Sequence, residues 1–124
     1  MTNIFLVEDD AIYSEFIQKA LSQNAEYKVK SFASAEAALN EINGKLPEVM
    51  IVDYKLPGLS GIELYDKIKS KVTDSNKVIM LSAIDDGIMV LNFIQKGVRD
   101  YVIKDENVIG SLQAIISGDE GNYF

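Results

Sequence analysis

Four short apolar runs in this chain each end in a polar residue able to do chemistry. Ile4-Phe5-Leu6-Val7 runs into Glu8, Asp9 and Asp10, and Val49-Met50-Ile51-Val52 runs into Asp53. Val78-Ile79-Met80-Leu81 runs into Ser82, and Tyr101-Val102-Ile103 runs into Lys104. Runs this short, rich in Val and Ile and separated by helix-like stretches, predict buried strands of a parallel sheet. In such sheets the groups that meet a ligand sit just beyond the carboxyl ends of the strands. The pattern therefore brings a carboxylate cluster, a hydroxyl and an ammonium to one edge.

The rest of the chain alternates with those runs. Asn3 to Glu8 predicts the first strand. A helix from Asp10 to Gln23 follows, capped by Asp9 or Asp10, with Ile12, Phe16, Ile17, Ala20 and Leu21 on its apolar face. Tyr27 to Phe32 is a second strand whose Lys28 and Lys30 suit a sheet edge. Ser34 caps a helix to about Asn43, ended by Gly44. After the strand Val49 to Asp53, a loop carrying Pro57-Gly58 leads into a helix from Ile62 to about Val72. Lys77 to Leu81 is the fourth strand, Asp85 to Lys96 a helix stopped by Gly97, and Asp100 to Ile103 the fifth strand. Asp105 is the expected cap of a last helix to about Ser117. This alternation implies right-handed crossovers and an α/β, doubly wound, five-stranded parallel sheet with helices on both faces. The order 2-1-3-4-5 puts the most apolar strands inside and the Lys-bearing strand at an edge. One domain is expected over residues 1–117, with 118–124 a C-terminal tail or the start of a linker.

Composition removes several function classes. A chain of 124 residues, 48% hydrophobic, can bury a real core. Its net charge is −7 and Arg99 is its one arginine, which argues against direct nucleic-acid binding. No apolar stretch approaches the roughly 18 residues of a membrane span, and the start has no signal-peptide pattern; a cytoplasmic location is expected. Without cysteine or histidine there is no thiol nucleophile, no Ser-His-Asp chemistry and no imidazole metal ligand.

Each candidate has a bland reading beside the chemical one. Acids at a helix start, such as Glu8, Asp9 and Asp10, also serve as caps and complement the helix dipole. Serines cap helices, and most lysines are solvated. Asp53 is harder to dismiss, because a carboxylate after four apolar residues at a sheet centre costs desolvation unless it is paired. Taken together, crowded carboxylates either protonate or bind a cation. Mg²⁺ prefers oxygen ligands and keeps waters that a phosphate oxygen can replace. Lys104 would add fixed positive charge and Ser82 a hydroxyl, around an Asp53 able to act as nucleophile and form an acyl phosphate.

The stretch from Val49 to Leu64, Val-Met-Ile-Val-Asp-Tyr-Lys-Leu-Pro-Gly-Leu-Ser-Gly-Ile-Glu-Leu, resembles the phosphoacceptor strand and loop of response-regulator receiver domains, and the resemblance runs over essentially the whole chain. It implies that Asp53 is phosphorylated and that Glu8 and Asp9 hold Mg²⁺ together with Asp53 and the Lys55 backbone carbonyl. It also implies that Ser82 is the switch hydroxyl, Lys104 the conserved-type lysine and Tyr101 the aromatic switch, while Asp10 is a bystander and helix cap. The family usually has Pro after the lysine, often through a cis bond; Asp105 stands there in this chain. The implied partners are a histidine kinase or phosphotransfer protein as donor, an effector or output domain, and a possible homodimer through helix four, strand five and helix five. The implied role is a switch rather than an enzyme. Lys55 and Ile84, flanking the expected path of water, predict a long-lived phosphorylated state.

Two other classes were weighed. An aspartyl-phosphate phosphatase or phosphotransferase would need a second acid two residues after the nucleophile, where this chain has Lys55. A flavin-binding module on a flavodoxin-like fold would need a phosphate-cradling loop after strand one, where Glu8-Asp9-Asp10 would instead repel phosphate.

Overall fold

The computed structural model describes residues 1–83 and 86–118. Among them five parallel strands, β1 (Thr2–Val7), β2 (Tyr27–Phe32), β3 (Val49–Asp53), β4 (Lys77–Ser82) and β5 (Asp100–Ile103), form one sheet in the order β2-β1-β3-β4-β5. The connecting helices are α1 (Ala11–Leu21), α2 (Ala35–Glu41), α3 (Gly61–Ile68), α4 (Gly87–Lys96) and α5 (Val108–Ser117), with a 3₁₀ turn at Lys69–Lys71. This is the flavodoxin-like order expected from the alternation. The expected start of α4 at Asp85, the water-flanking Ile84 and the tail from 119 onward lie outside the described residues. Among the described residues no helix is long and apolar enough to cross a membrane.

The sheet divides two cores by its period of two. Ile4, Leu6, Val49, Ile51, Ile79, Leu81 and Val102 face α1 and α5, where they meet Ile17, Leu21, Val108 and Leu112. Val7, Met50, Val52, Val78 and Met80 face the other way, against Ala38 of α2, Leu64 of α3 and Phe93 of α4. All five residues of β3 are buried, as a central strand covered on both faces requires. Loss of one such Ile or Met side chain to Ala would cost about 2–5 kcal/mol.

Local signals place most helix ends. Asp10 Oδ1 accepts the N–H groups of Ile12 and Tyr13 at 3.0 and 3.1 Å. Ser34 caps α2, and Ser60 with Glu63 forms a capping box on α3. Each such cap is worth about 1 kcal/mol. Gly97 ends α4 at φ 93°, a conformation that costs glycine nothing.

Two expectations are corrected. Ile12 and Phe16 were expected in the core, yet they are 83% and 50% exposed, while Ser14, Ile17 and Leu21 are buried. At 100° per residue Ile12 sits roughly 140° around the helix from Ile17, and Phe16 roughly 100°, so one stripe cannot hold them all. Asp105 does not cap α5. Its Oδ1 accepts the Asn107 N–H at 2.9 Å in a local turn, and Asn107 occupies the cap position without a side-chain bond. The turn holds Asp105 two residues short of the helix.

Candidate functional site: an acidic pocket with a buried lysine

Period-two alternation decides which side chains meet. Counting on from Leu6, Ile51 and Val102, the residues Glu8, Asp53 and Lys104 belong to the α1/α5 side of the sheet edge. They converge there. Lys104 Nζ donates to Glu8 Oε1 at 2.7 Å and to Asp53 Oδ2 at 2.8 Å. Glu8 and Asp53 are buried, and Asp9 is exposed at the rim. Carboxylate oxygens of Glu8, Asp9 and Asp53 lie within 4.8 Å of one another. The backbone supports this arrangement: Glu8 N donates to Phe32 O at 3.0 Å, Lys104 N to Ser82 O at 2.9 Å, and Lys55 N to Asp53 Oδ1 at 3.2 Å. Among the described residues no peptide bond is cis, so Lys104–Asp105 is trans.

The electrostatics follow from burial. Desolvation, reinforced by the hydrogen bond with Asp53, pushes the Glu8 carboxyl from 4.5 up to about 7, with Lys104 pulling it partly back. Burial also works against the Lys104 ammonium, but its bonds to Asp53 and Glu8 outweigh that and hold its pKa above the ordinary lysine value. Glu8 Oε2 is buried and has no hydrogen-bond partner in the protein. An orphaned buried carboxylate oxygen, with two more carboxylates in reach, is a donor set that fits a hard divalent cation.

Ser82 and Tyr101 lie elsewhere. Ser82 follows Val78 and Met80 onto the α2–α4 side, where its Oγ is fully buried and unpartnered. Tyr101, in register with Met80, is 40% exposed. The structure thus brings Glu8, Asp9, Asp53 and Lys104 together and leaves the Ser82 hydroxyl and the Tyr101 ring unattached to them. The side chain of Lys55 is exposed.

Three contacts were not foreseen. The Tyr13 ring of α1 lies over Lys104 Nζ, 4.7 Å from centroid to nitrogen. The Tyr54 hydroxyl, next to Asp53, donates to the Asp86 carboxylate ahead of α4, and its ring meets Phe93 edge-on at 5.8 Å. The Tyr65 hydroxyl donates to Gly97 O at 3.0 Å, so α3 reaches the far end of α4. Aromatic residues inside helix and strand patterns read as core, and nothing in their spacing signals a polar partner.

The fold and pocket define a class: a flavodoxin-like α/β domain with crowded carboxylates and a lysine where the strand order reverses. The family model for the response regulator receiver domain matches residues 4–116, and the chain belongs to that family. It is 31% identical over 104 residues to the transcriptional regulatory protein AfsQ1 of Streptomyces coelicolor, covering 84% of this chain and 45% of that protein. It is 28% identical to the chemotaxis protein CheY of Listeria monocytogenes, covering 89% of this chain and 92% of that one. The BeF3-activated receiver domain of DrrB superimposes with a TM-score of 0.79 at 28% identity, covering 94% of this chain and 98% of that one. The chain spans about half the length of the first curated relatives it matches. Receiver domains of this family are signalling switches of two-component systems.

Proposed function

We propose that this domain accepts a phosphoryl group on Asp53 from a partner histidine kinase or phosphotransfer protein. The observation that carries the reading is the Asp53 carboxylate, buried at the end of β3 and bonded to Lys104 within the carboxylate cluster. Glu8, Asp9, Asp53 and the Lys55 backbone carbonyl are the proposed Mg²⁺ ligands. When bound, the ion supplies positive charge against which a phosphoryl group can approach three carboxylates. An Asp53 oxygen attacks phosphorus, the bond from phosphorus to the donor's histidine nitrogen breaks, and that nitrogen keeps the electron pair. Lys104 then turns its donors to a phosphoryl oxygen. The Ser82 hydroxyl, buried without a partner, gains one by moving toward the same group, and Tyr101 turns inward into the space it leaves. The remodelled surface is α4, β5 and α5, which contacts an effector, an output domain or a second copy. The receiver unit is residues 1–117, and it binds no nucleic acid itself.

The test is labelling with acetyl phosphate in Mg²⁺, read as a mass increase of one phosphoryl group. Asp53→Asn should abolish it, and so should chelation of the metal. Labelling of the Asn variant at the parent's rate would assign the nucleophile elsewhere.

A further inference from the structure

Lys104 is held in this structure by three groups, and the proposed reaction takes two of them away. An ammonium has three N–H donors; two go to Glu8 Oε1 and Asp53 Oδ2. Once Glu8 faces a cation and Asp53 carries a phosphoryl group, neither carboxylate is a full counter-charge for the lysine. The Lys104 side chain is 24% exposed, on a flexible four-carbon stem that can swing into water. What remains is the Tyr13 ring, 4.7 Å from Nζ. A ring face attracts a cation through its quadrupole and leaves the N–H donors largely free for phosphoryl oxygens.

We propose that Tyr13 is a positioning residue for Lys104, its ring seating the ammonium at the pocket while Asp53 is phosphorylated. The inference rests on the phosphoacceptor reading above. Tyr13 is itself fixed. Its N–H is bonded to Asp10 Oδ1 in the first turn of α1, and its ring packs against Phe16 at 5.9 Å. That contact gives the exposed Phe16 a role: it backs the ring that faces the lysine. The Tyr13 hydroxyl is buried without a hydrogen-bond partner in the protein, so the ring and not the hydroxyl is the working part.

The experiment compares Tyr13→Phe with Tyr13→Leu, each alone and with Lys104→Ala. In saturating Mg²⁺, the affinity for beryllofluoride is measured by fluorine NMR, beside the Mg²⁺ affinity without it. Tyr13→Leu should weaken beryllofluoride binding by about three- to tenfold, the size of a partly desolvated cation–π contact. Its Mg²⁺ affinity should be unchanged, and Tyr13→Phe should match the parent. In the Lys104→Ala background Tyr13→Leu should have no further effect. Should Leu unfold the chain, Tyr13→Met fills the space without a ring face and carries the same expectation. Equal binding by Tyr13→Leu, an equal loss in Tyr13→Phe, or an undiminished loss without Lys104 would each overturn the inference. A parent that binds no beryllofluoride would overturn the functional reading and this inference with it.

Discussion

Replacing Glu8 by Gln should make the metal-free protein more stable at pH 8, although it removes half of an ion pair. The Glu8 carboxyl is raised to about 7 in the folded chain against an ordinary 4.5, chiefly by burial and then by Asp53. A raised carboxyl means the folded state binds more protons than the unfolded state between those two values, so stability falls as pH rises through that window. Each unit is worth 1.36 kcal/mol, and the difference of about 2.5 units amounts to about 3 kcal/mol lost by pH 8. Gln imitates the protonated acid. Its carbonyl can keep the Lys104 bond, and its amide can donate to Asp53, so the substitution leaves no new orphan. The gap between Glu8→Gln and parent should therefore be about 2–3 kcal/mol at pH 8 in chelator, shrinking toward zero near pH 5 as the parent protonates. Urea unfolding would read it as a midpoint shift of about 1–2 M. Saturating Mg²⁺ should narrow or reverse the gap, because an ion bound only by the folded parent adds about 2.7 kcal/mol at a hundredfold excess over its Kd. A variant no more stable than the parent at pH 8, or a gap independent of pH, would refute the reasoning.

Asp9→Ala, at the exposed rim, should change metal-free stability by less than about 0.5 kcal/mol while weakening Mg²⁺ binding in a titration; unchanged affinity would remove Asp9 from the ligand set. Gly61→Ala should destabilise by about 3 kcal/mol or more and impair labelling of Asp53, because its Cβ would stand 2.5 Å from Tyr54 Cα and 2.6 Å from Asp53 O; a variant that melts with the parent would contradict that packing. Tyr54→Phe should cost about 1–2 kcal/mol by leaving Asp86 without its donor. It should also speed amide exchange in α4, and exchange unchanged in Gly87–Lys96 would mean that the hydroxyl does not hold that helix.

The strand order and the chemistry at its edge were legible in the sequence because backbone geometry transmits them without distortion. Strands alternate with a period of two, so the parity of Glu8 against Leu6, Asp53 against Ile51 and Lys104 against Val102 already puts three functional groups on one side and Ser82 on the other. Capping is equally local: Asp10, Ser34 and Ser60 act on N–H groups two or three residues away. The tertiary structure alone decided what depends on the angle at which a helix meets the sheet. An apolar residue on α1 can face inward or outward by a rotation that composition does not reveal, so Ile12 and Phe16 came out exposed while Ser14 went in. The same rotation brought the Tyr13 ring over Lys104, across 91 residues of chain. Which of several neighbouring acids bears the strained charge was also a matter of depth: Glu8 is buried beside Asp53 and Asp9 is not. Desolvation depends on what packs around a group, and that is a property of the assembled fold rather than of any segment.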